Sequence, residues 1–286
     1  MTTIYVFPGQ GSQRAGMGSD LFPKYAHLVK RADAVLGYSI VTLCMEGPAE
    51  RLADTRYTQP ALFVVNALSY LERVKQTGIV PDYVAGHSIG EFNALFAAGA
   101  FDFLTGLELV KERGALMAQM EGGGMAAVLG MSVERLKELL AEHGFSSIDI
   151  ANYNAPEQTV ISGPRDDIMI AKQVLERSGA RMVVPLKVGA AFHSRYMASV
   201  ETAFARFLAS YQFSRLKIPV ISNLEATPYH GASIAENLVK QISHPVQWMQ
   251  SLLYLARQPS PEFHEIGPGR VLTSLTKQIL EGSNAS

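Results

Sequence analysis

The segment Tyr83-Val84-Ala85-Gly86-His87-Ser88-Ile89-Gly90-Glu91-Phe92-Asn93-Ala94-Leu95-Phe96-Ala97-Ala98 passes from a short apolar run, through two glycines that bracket a serine, into a run of helix-compatible residues. Residues 83–85 predict a short buried strand, and Glu91–Ala98 predicts a helix with Gly99 near its C-terminal cap. Gly86-His87-Ser88-Ile89-Gly90 fits G-x-S-x-G, the nucleophile elbow, in which a sharp strand-to-helix turn presents a serine hydroxyl at the mouth of a sheet. The following helix directs its positive end and free N–H groups at the serine, so the N–H of Ile89 is placed to donate to an oxyanion. Such a donor is worth about 3–4 kcal/mol in a transition state. Five-residue patterns with three defined positions also arise by chance, and the alternative is a turn whose serine merely caps the helix. The apolar strand before and the helix after favour the catalytic reading.

Outward from the elbow, Ile4–Phe7 predicts a buried strand ended by Pro8-Gly9, followed by a Gly-rich loop through Gly18. Helical spacing appears over 24–37 and over 59–77, the second opened by Gln59-Pro60. A further helix is expected to start at Thr105, with Glu108 completing a capping box, and to run to about Met120. Gly122-Gly123-Gly124 reads as a flexible break and a domain boundary. Beyond it the rhythm changes: strand 125–129, helix 133–143, strands 148–153 and 159–162, helix 166–178, strand 182–188. That βαββαβ order is the split, ferredoxin-like pattern. A long helix returns over 196–211, with short strands at 219–222 and 263–266. The fold class is therefore α/β: a larger domain with a parallel sheet, residues 1–124 and 189–286, interrupted by a small α+β domain over 125–188.

Of the 286 residues, 48% are hydrophobic and 18% charged, as in a folded globular enzyme and unlike a disordered chain. A net charge of −1 gives no polyanion-binding surface, so no nucleic-acid partner is expected. The single cysteine, Cys44, excludes an internal disulfide and a Cys-based metal site and suits a reducing cytoplasm. Met1-Thr2-Thr3 carries no basic residue, and the apolar stretch Ala94–Phe103 is interrupted by Gly99 and Asp102, so neither a signal peptide nor a membrane span is expected. No extended apolar or coiled-coil face is evident, and a monomer is expected.

A serine nucleophile needs a general base. Of the seven histidines, His87 adjoins Ser88 but points elsewhere, and His27, His143 and His230 lie in polar contexts. His193 sits in Ala190-Ala191-Phe192-His193-Ser194, an apolar bend between a strand and a helix where a base can be held against a pocket. His244 and His264 stay open, as does the bland reading of His193 as a satisfied core histidine. No downstream Asp or Glu is an obvious third member, so a backbone carbonyl is a candidate orienting acceptor. Arg113, read alone, is a surface residue on a helix.

Several motifs in register resemble one family. They are Phe7-Pro8-Gly9-Gln10-Gly11-Ser12-Gln13, Tyr57-Thr58-Gln59-Pro60-Ala61, Gly86-His87-Ser88-Ile89-Gly90-Glu91, Asn154-Ala155-Pro156 with Val160-Ile161-Ser162-Gly163, Ala191-Phe192-His193-Ser194 and Ile266-Gly267-Pro268-Gly269. Together, along essentially the whole chain, they resemble the malonyl-CoA:acyl carrier protein transacylases. The resemblance implies an α/β-hydrolase-like large domain with a ferredoxin-like insert. It implies an ester on Ser88, with His193 as its base and later as activator of the carrier's phosphopantetheine thiol. The N–H groups of Gln10 and Ile89 would form the oxyanion hole, and the Gln241 carbonyl would orient the histidine. Arg113 would pair with the free malonyl carboxylate, for which a planar guanidinium is suited. Asn154 would line the same pocket. Phe192 would fill the space an α-methyl needs, a discrimination of about 1–3 kcal/mol for one methyl. Malonyl-CoA and an acyl carrier protein are the implied substrate and partner, with no cofactor and no metal. Ala190–Met197 is most similar to the free-standing, trans-acting acyltransferases of polyketide synthases. A fatty-acid transacylase and an editing acyl hydrolase are the alternatives, and Arg113 argues against the hydrolase. Arg195, near the site mouth, is a candidate contact for an acidic carrier.

Overall fold

The protein is described here by a computed structural model covering residues 1–230 and 234–283. In chain order its elements begin with β1 (Thr2–Phe7), α1 (Ala26–Leu36), α2 (Ile40–Met45), α3 (Ala49–Ala53) and α4 (Thr55–Thr77). There follow β2 (Tyr83–Gly86), α5 (Gly90–Ala97), α6 (Phe103–Met117), β3 (Gly123–Leu129), α7 (Val133–Glu142), β4 (Asp149–Ala155) and β5 (Gln158–Pro164). The chain closes with α8 (Arg165–Arg177), β6 (Met182–Pro185), a 3-10 turn (Arg195–Met197), α9 (Ala198–Leu208), β7 (Val220–Ile221), α10 (Ile234–Lys240), α11 (Trp248–Ala256), β8 (Pro261–Glu265) and α12 (Val271–Ser283).

Ile4, Tyr5, Val6 and Phe7 are buried on both faces of β1, the signature of a central strand in a parallel sheet. The sheet order is β7-β2-β1-β8, with every pairing parallel. Phe7 is registered opposite Gly86, so the two central strands end together. The loops that leave them, one carrying Gln10 and the other Ser88, therefore lie side by side at the carboxyl end of the sheet. Open parallel sheets place their sites there.

Residues 123–185 form a second, antiparallel sheet in the order β4-β5-β3-β6. The two-residue period of a strand divides its side chains between two cores. Ala126, Val128, Ile161 and Val183 pack with Leu136 and Leu139 of α7 and with Ile168, Ala171 and Leu175 of α8. Met125, Ala151 and Val160 instead join the core built around α4, α5 and α6. The central strands β3 and β5 are thus covered on both faces, and a parallel bridge from Asn152 to Val246 ties β4 to the segment between α10 and α11.

The glycine run does not behave as a flexible break. Gly123 and Gly124 belong to β3, paired with Pro164 and Gly163. A Cβ on Gly123 would lie 2.2 Å from the backbone nitrogen of Ala191. The glycine is there so that the backbone at 190–191 can cross β3 in contact, which carries His193 towards the large sheet.

Two helix starts also differ from expectation. α6 is capped by Asp102, whose side chain accepts from the Thr105 N–H, so Thr105 lies inside the helix. α4 begins at Thr55 under an Asp54 cap, leaving Pro60 inside it. Burial of Thr58 through Leu68 outweighs the lost hydrogen bond. The expected helix 196–211 is a 3-10 turn followed by the shorter α9. α10, α11 and α12 add helices in a region where only strands were expected.

Candidate active site

Ser88 sits in the left-handed region, at φ 51°, where a non-glycine residue is rare and strained. The surroundings enforce it. A Cβ on Gly86 would lie 2.0 Å from the Gly90 carbonyl, and one on Gly90 would lie 2.1 Å from the Phe7 carbonyl oxygen. The turn can close only where neither residue has a side chain. The Asn223 side chain secures it, accepting from the Ser88 N–H at 2.7 Å and donating to the Gly86 carbonyl at 2.6 Å.

His193 also has a positive φ, 55°, and is 4% exposed. Its Nδ1 lies 2.8 Å from the backbone carbonyl of Gln241, an acceptor only, so the proton resides on Nδ1. Nε2 then offers its lone pair to the Ser88 hydroxyl, 2.7 Å away. Burial, with the positive field of Arg113 adding to it, lowers the His193 pKa to about 3. The imidazole is therefore neutral at pH 7, as a proton acceptor must be.

Arg113 is not on the surface. It projects from α6 into the interior, 1% exposed, with its guanidinium 5.7 Å from the centre of the Phe92 ring. Nη1 donates to Gln59 Oε1 at 2.7 Å and Nη2 to Gln241 Oε1 at 2.8 Å. A longer contact, 3.3 Å, reaches Ser88 Oγ. Nε has no partner, and among the described residues Arg113 forms no salt bridge. Burial draws its pKa down to about 10, opposed by the field of Glu91. A buried cation held by neutral amides is costly unless a ligand supplies the anion.

These groups border a cavity of about 330 Å³ that also includes Gln10, Ile89 and Phe192 in its lining. The backbone N–H groups of Gln10 and Ile89 donate to no protein acceptor among the described residues. The lining further includes Met117 and Met125, which with Phe192 make one wall apolar. The arrangement holds a strained nucleophile, a neutral base, free N–H donors and an unpaired cation around one space. Such a set suits acyl transfer from a donor that carries a carboxylate.

Residues 4–286 match the family model described as the acyl transferase domain. The chain belongs to the acyl transferase domain family. This acyl transferase is 52% identical, over 99% of its length and 98% of the relative, to the polyketide biosynthesis malonyl CoA-acyl carrier protein transacylase BaeC of Bacillus velezensis. A malonyl CoA-acyl carrier protein transacylase from Burkholderia pseudomallei superposes with a TM-score of 0.95 at 46% identity, covering 98% of each chain. A malonyl-transacylase in complex with its type II polyketide-synthase acyl-carrier protein superposes with a TM-score of 0.93 at 34% identity, covering 98% of this chain and 94% of that one.

The acyl transferase brings together Ser88, His193, Gln10, Ile89, Arg113, Gln241 and Phe192, all expected at the site. Asn154 is the exception. Asn152 lines the cavity, while Asn154 lies behind it with Oδ1 2.8 Å from His87 Nε2. One residue lies between them on β4, and the register irregularity between Tyr153 and Ala155 falls at Asn154, so the two side chains do not share a direction. His87, half-buried, packs against Trp248 at the cavity, and desolvation lowers its pKa. His264 packs on Tyr5 near the sheet edge, and His244 bonds to the Lys240 carbonyl. Arg195 is already engaged with the Asp149 carboxylate through Nε at 3.0 Å and Nη2 at 2.5 Å, which fastens the loop after His193 to β4.

Gln59, Glu91 and Asn223 were not expected as site residues. The first two stand inside family-like motifs, Gln59 beside Pro60 and Glu91 directly after the elbow. Asn223 carries no local signal. Glu91 is buried, and burial raises its pKa to about 7 against the hydrogen bonds of Tyr229, Asn223 and Gln241.

Proposed function

We propose that this chain moves a malonyl group from coenzyme A to the phosphopantetheine thiol of an acyl carrier protein, through an ester on Ser88. The observation that carries the reading is the buried Arg113, which among the described residues forms no salt bridge and lies 3.3 Å from Ser88 Oγ. The carboxylate of a malonyl ester on that oxygen falls beside the guanidinium. Acetyl offers nothing there. The match to a polyketide-biosynthesis transacylase over almost the whole chain supports service to a polyketide synthase in trans.

In the first half-reaction the Ser88 proton passes to His193 Nε2 as Oγ attacks the thioester carbon. The carbonyl oxygen becomes an oxyanion, held by the N–H groups of Gln10 and Ile89. The C–S bond breaks, and the thiol of coenzyme A leaves with the proton from His193. In the second half-reaction His193 takes the proton of the carrier's thiol. The thiolate attacks the ester carbon, the C–O bond to Ser88 Oγ breaks, and the His193 imidazolium returns the proton to Oγ, leaving malonyl on the carrier. The Gln241 carbonyl, accepting from Nδ1, favours the imidazolium that forms in each step. Phe192 narrows the space beside the reacting centre and favours malonyl over methylmalonyl. This chemistry needs no metal or organic cofactor, because Ser88 is activated by a base and the substrate is already a thioester.

The reading further treats residues 1–124 and 189–286 as an α/β-hydrolase-like body and 125–188 as a ferredoxin-like insert, in a monomeric cytoplasmic enzyme. Among the described residues no helix is long and apolar enough to cross a membrane.

The test is intact-protein mass spectrometry after brief mixing with malonyl-CoA, followed by holo carrier protein. The expected result is one malonyl adduct, absent in Ser88→Ala, that moves to the carrier. An adduct that survives in Ser88→Ala, or one released to water with carrier present, refutes the reading.

A further inference from the structure

We propose that Glu91 is a positioning residue for substrate selectivity: it sets the amide orientation of Gln241 and, through that amide, the Arg113 fork. The inference rests on Arg113 being the receptor for the malonyl carboxylate.

Glu91 lies in the first turn of α5, 1% exposed, with its carboxylate facing donors. Oε1 accepts from the Tyr229 hydroxyl at 2.7 Å and from the Asn223 N–H at 3.0 Å. Oε2 accepts a short hydrogen bond from Gln241 Nε2. That same Nε2 donates to the Ser88 carbonyl at 3.0 Å. The Ser88 carbonyl is an acceptor only, and so is the Glu91 carboxylate in its ionised form, so the Gln241 amide turns its NH2 towards them. Its oxygen is thereby left facing Arg113 Nη2 at 2.8 Å. Gln59 Oε1 holds Nη1 from the other side, while its own Nε2 donates to Thr55 Oγ1 at 3.0 Å. Two amide oxygens therefore define the guanidinium plane, and Glu91, together with the Ser88 carbonyl, sets which end of the Gln241 amide is one of them.

Glu91→Gln keeps the shape and reverses this logic. The new amide must keep its oxygen for Tyr229 and Asn223, which puts its NH2 against the NH2 of Gln241. If Gln241 turns over instead, its NH2 meets Arg113 and its oxygen meets the Ser88 carbonyl. Either outcome unseats the Arg113 fork. The backbone carbonyl of Gln241, which orients His193, is not moved by turning the side-chain amide. The signature is therefore a loss of selectivity, with malonyl loading falling far more than acetyl loading.

The experiment compares kcat/KM for loading from malonyl-CoA and from acetyl-CoA in wild type, Glu91→Gln, Gln241→Leu, Tyr229→Phe and Arg113→Met, with thermal melts of each. Glu91→Gln and Gln241→Leu are each expected to lower the malonyl-to-acetyl ratio about ten- to a hundred-fold, the worth of one hydrogen bond to a charged group. Tyr229→Phe removes a donor from Oε1 but leaves the Oε2–Gln241 bond, so it is expected to lower the melting temperature and leave the ratio unchanged. If Tyr229→Phe lowers the ratio as far as Glu91→Gln does, Glu91 is only a structural anchor and the proposal falls. If Arg113→Met loses selectivity while Glu91→Gln and Gln241→Leu keep it, the relay is wrong and the Arg113 assignment stands. If Arg113→Met keeps selectivity, both fall. Should Glu91→Gln fail to fold, Gln241→Leu decides, since it removes the relay and retains Glu91.

Discussion

Replacing Arg113 by methionine keeps much of the side chain's length and removes its charge and donors. In the folded protein that guanidinium is 1% exposed, bonded to two neutral glutamine oxygens, and without a carboxylate partner among the described residues. A malonyl carboxylate bound beside it gains hydrogen bonds to a charged group, each worth about 1.5–3 kcal/mol. Two of them total about 3–6 kcal/mol, a factor of about 10² to 10⁴ in kcat/KM. Acetyl-CoA has no carboxylate to lose. Its loading is expected to hold or rise, because Arg113 is one of the groups that depresses the basicity of His193, second to burial. The acid limb of acetyl loading should consequently move to higher pH. Loading requires neutral imidazole, which exists above the His193 pKa, and removing a nearby cation raises that pKa towards its usual value. The variant also leaves Gln59 Oε1 and Gln241 Oε1 unpaired, at about 1–3 kcal/mol each, so melting temperatures must be recorded beside the rates. The assay is the initial rate of adduct formation by rapid-quench intact mass spectrometry with both thioesters across pH. Equal losses for malonyl and acetyl in a variant that melts cooperatively would falsify the carboxylate role.

His193→Ala is expected to slow loading and transfer alike, each by about 10²- to 10⁴-fold as befits a general base; a normal loading rate would assign the proton to another group. Gly90→Ala places a Cβ where the Phe7 carbonyl stands, 2.1 Å away, and should cost at least about 1–3 kcal/mol. Calorimetry reads it, and an unchanged melting temperature would show that the elbow is looser than its contacts imply. Phe192→Ala enlarges the apolar wall of the cavity, so methylmalonyl-CoA should gain on malonyl-CoA by about 1–3 kcal/mol, or up to about a hundred-fold. Competition between the two thioesters measures it, and an unaltered preference would remove Phe192 from the selection.

Local signals marked the elements whose chemistry is itself local. The elbow was legible because a serine between two glycines, after an apolar run and before a helix, has few other uses. The βαββαβ order over 125–188 was legible because two-residue and 3.6-residue apolar periods alternate there. Helix starts were less secure. Asp102 and Thr105 are both competent caps, and only the geometry of the Asp102 side chain on the Thr105 N–H decides between them. The stripe Trp248, Leu252 and Leu255 in α11 is periodic, and so are Leu272, Leu275 and Ile279 in α12. These helices needed only the same reading of apolar period carried to the chain's end.

By itself the sequence determined the α/β class, the strand-turn-helix placement of the candidate nucleophile Ser88, and a short list of candidate bases. Its motifs, taken as a resemblance, also pointed to Arg113 and Gln241. Tertiary structure alone decided the rest. Arg113 reads as a surface cation until α6 is packed against α4 and α5, because burial belongs to the assembled layers and not to a helix sequence. The placement of His193, rather than His244 or His264, against Ser88 needed the close crossing of residues 190–191 over Gly123. Asn152 displaced Asn154 at the cavity because a shift in register turns a strand's side chains. The bonds from Glu91 to Gln241, Asn223 and Tyr229 span more than 130 positions of chain. No local pattern encodes an acceptor that meets its donors only after the fold is complete.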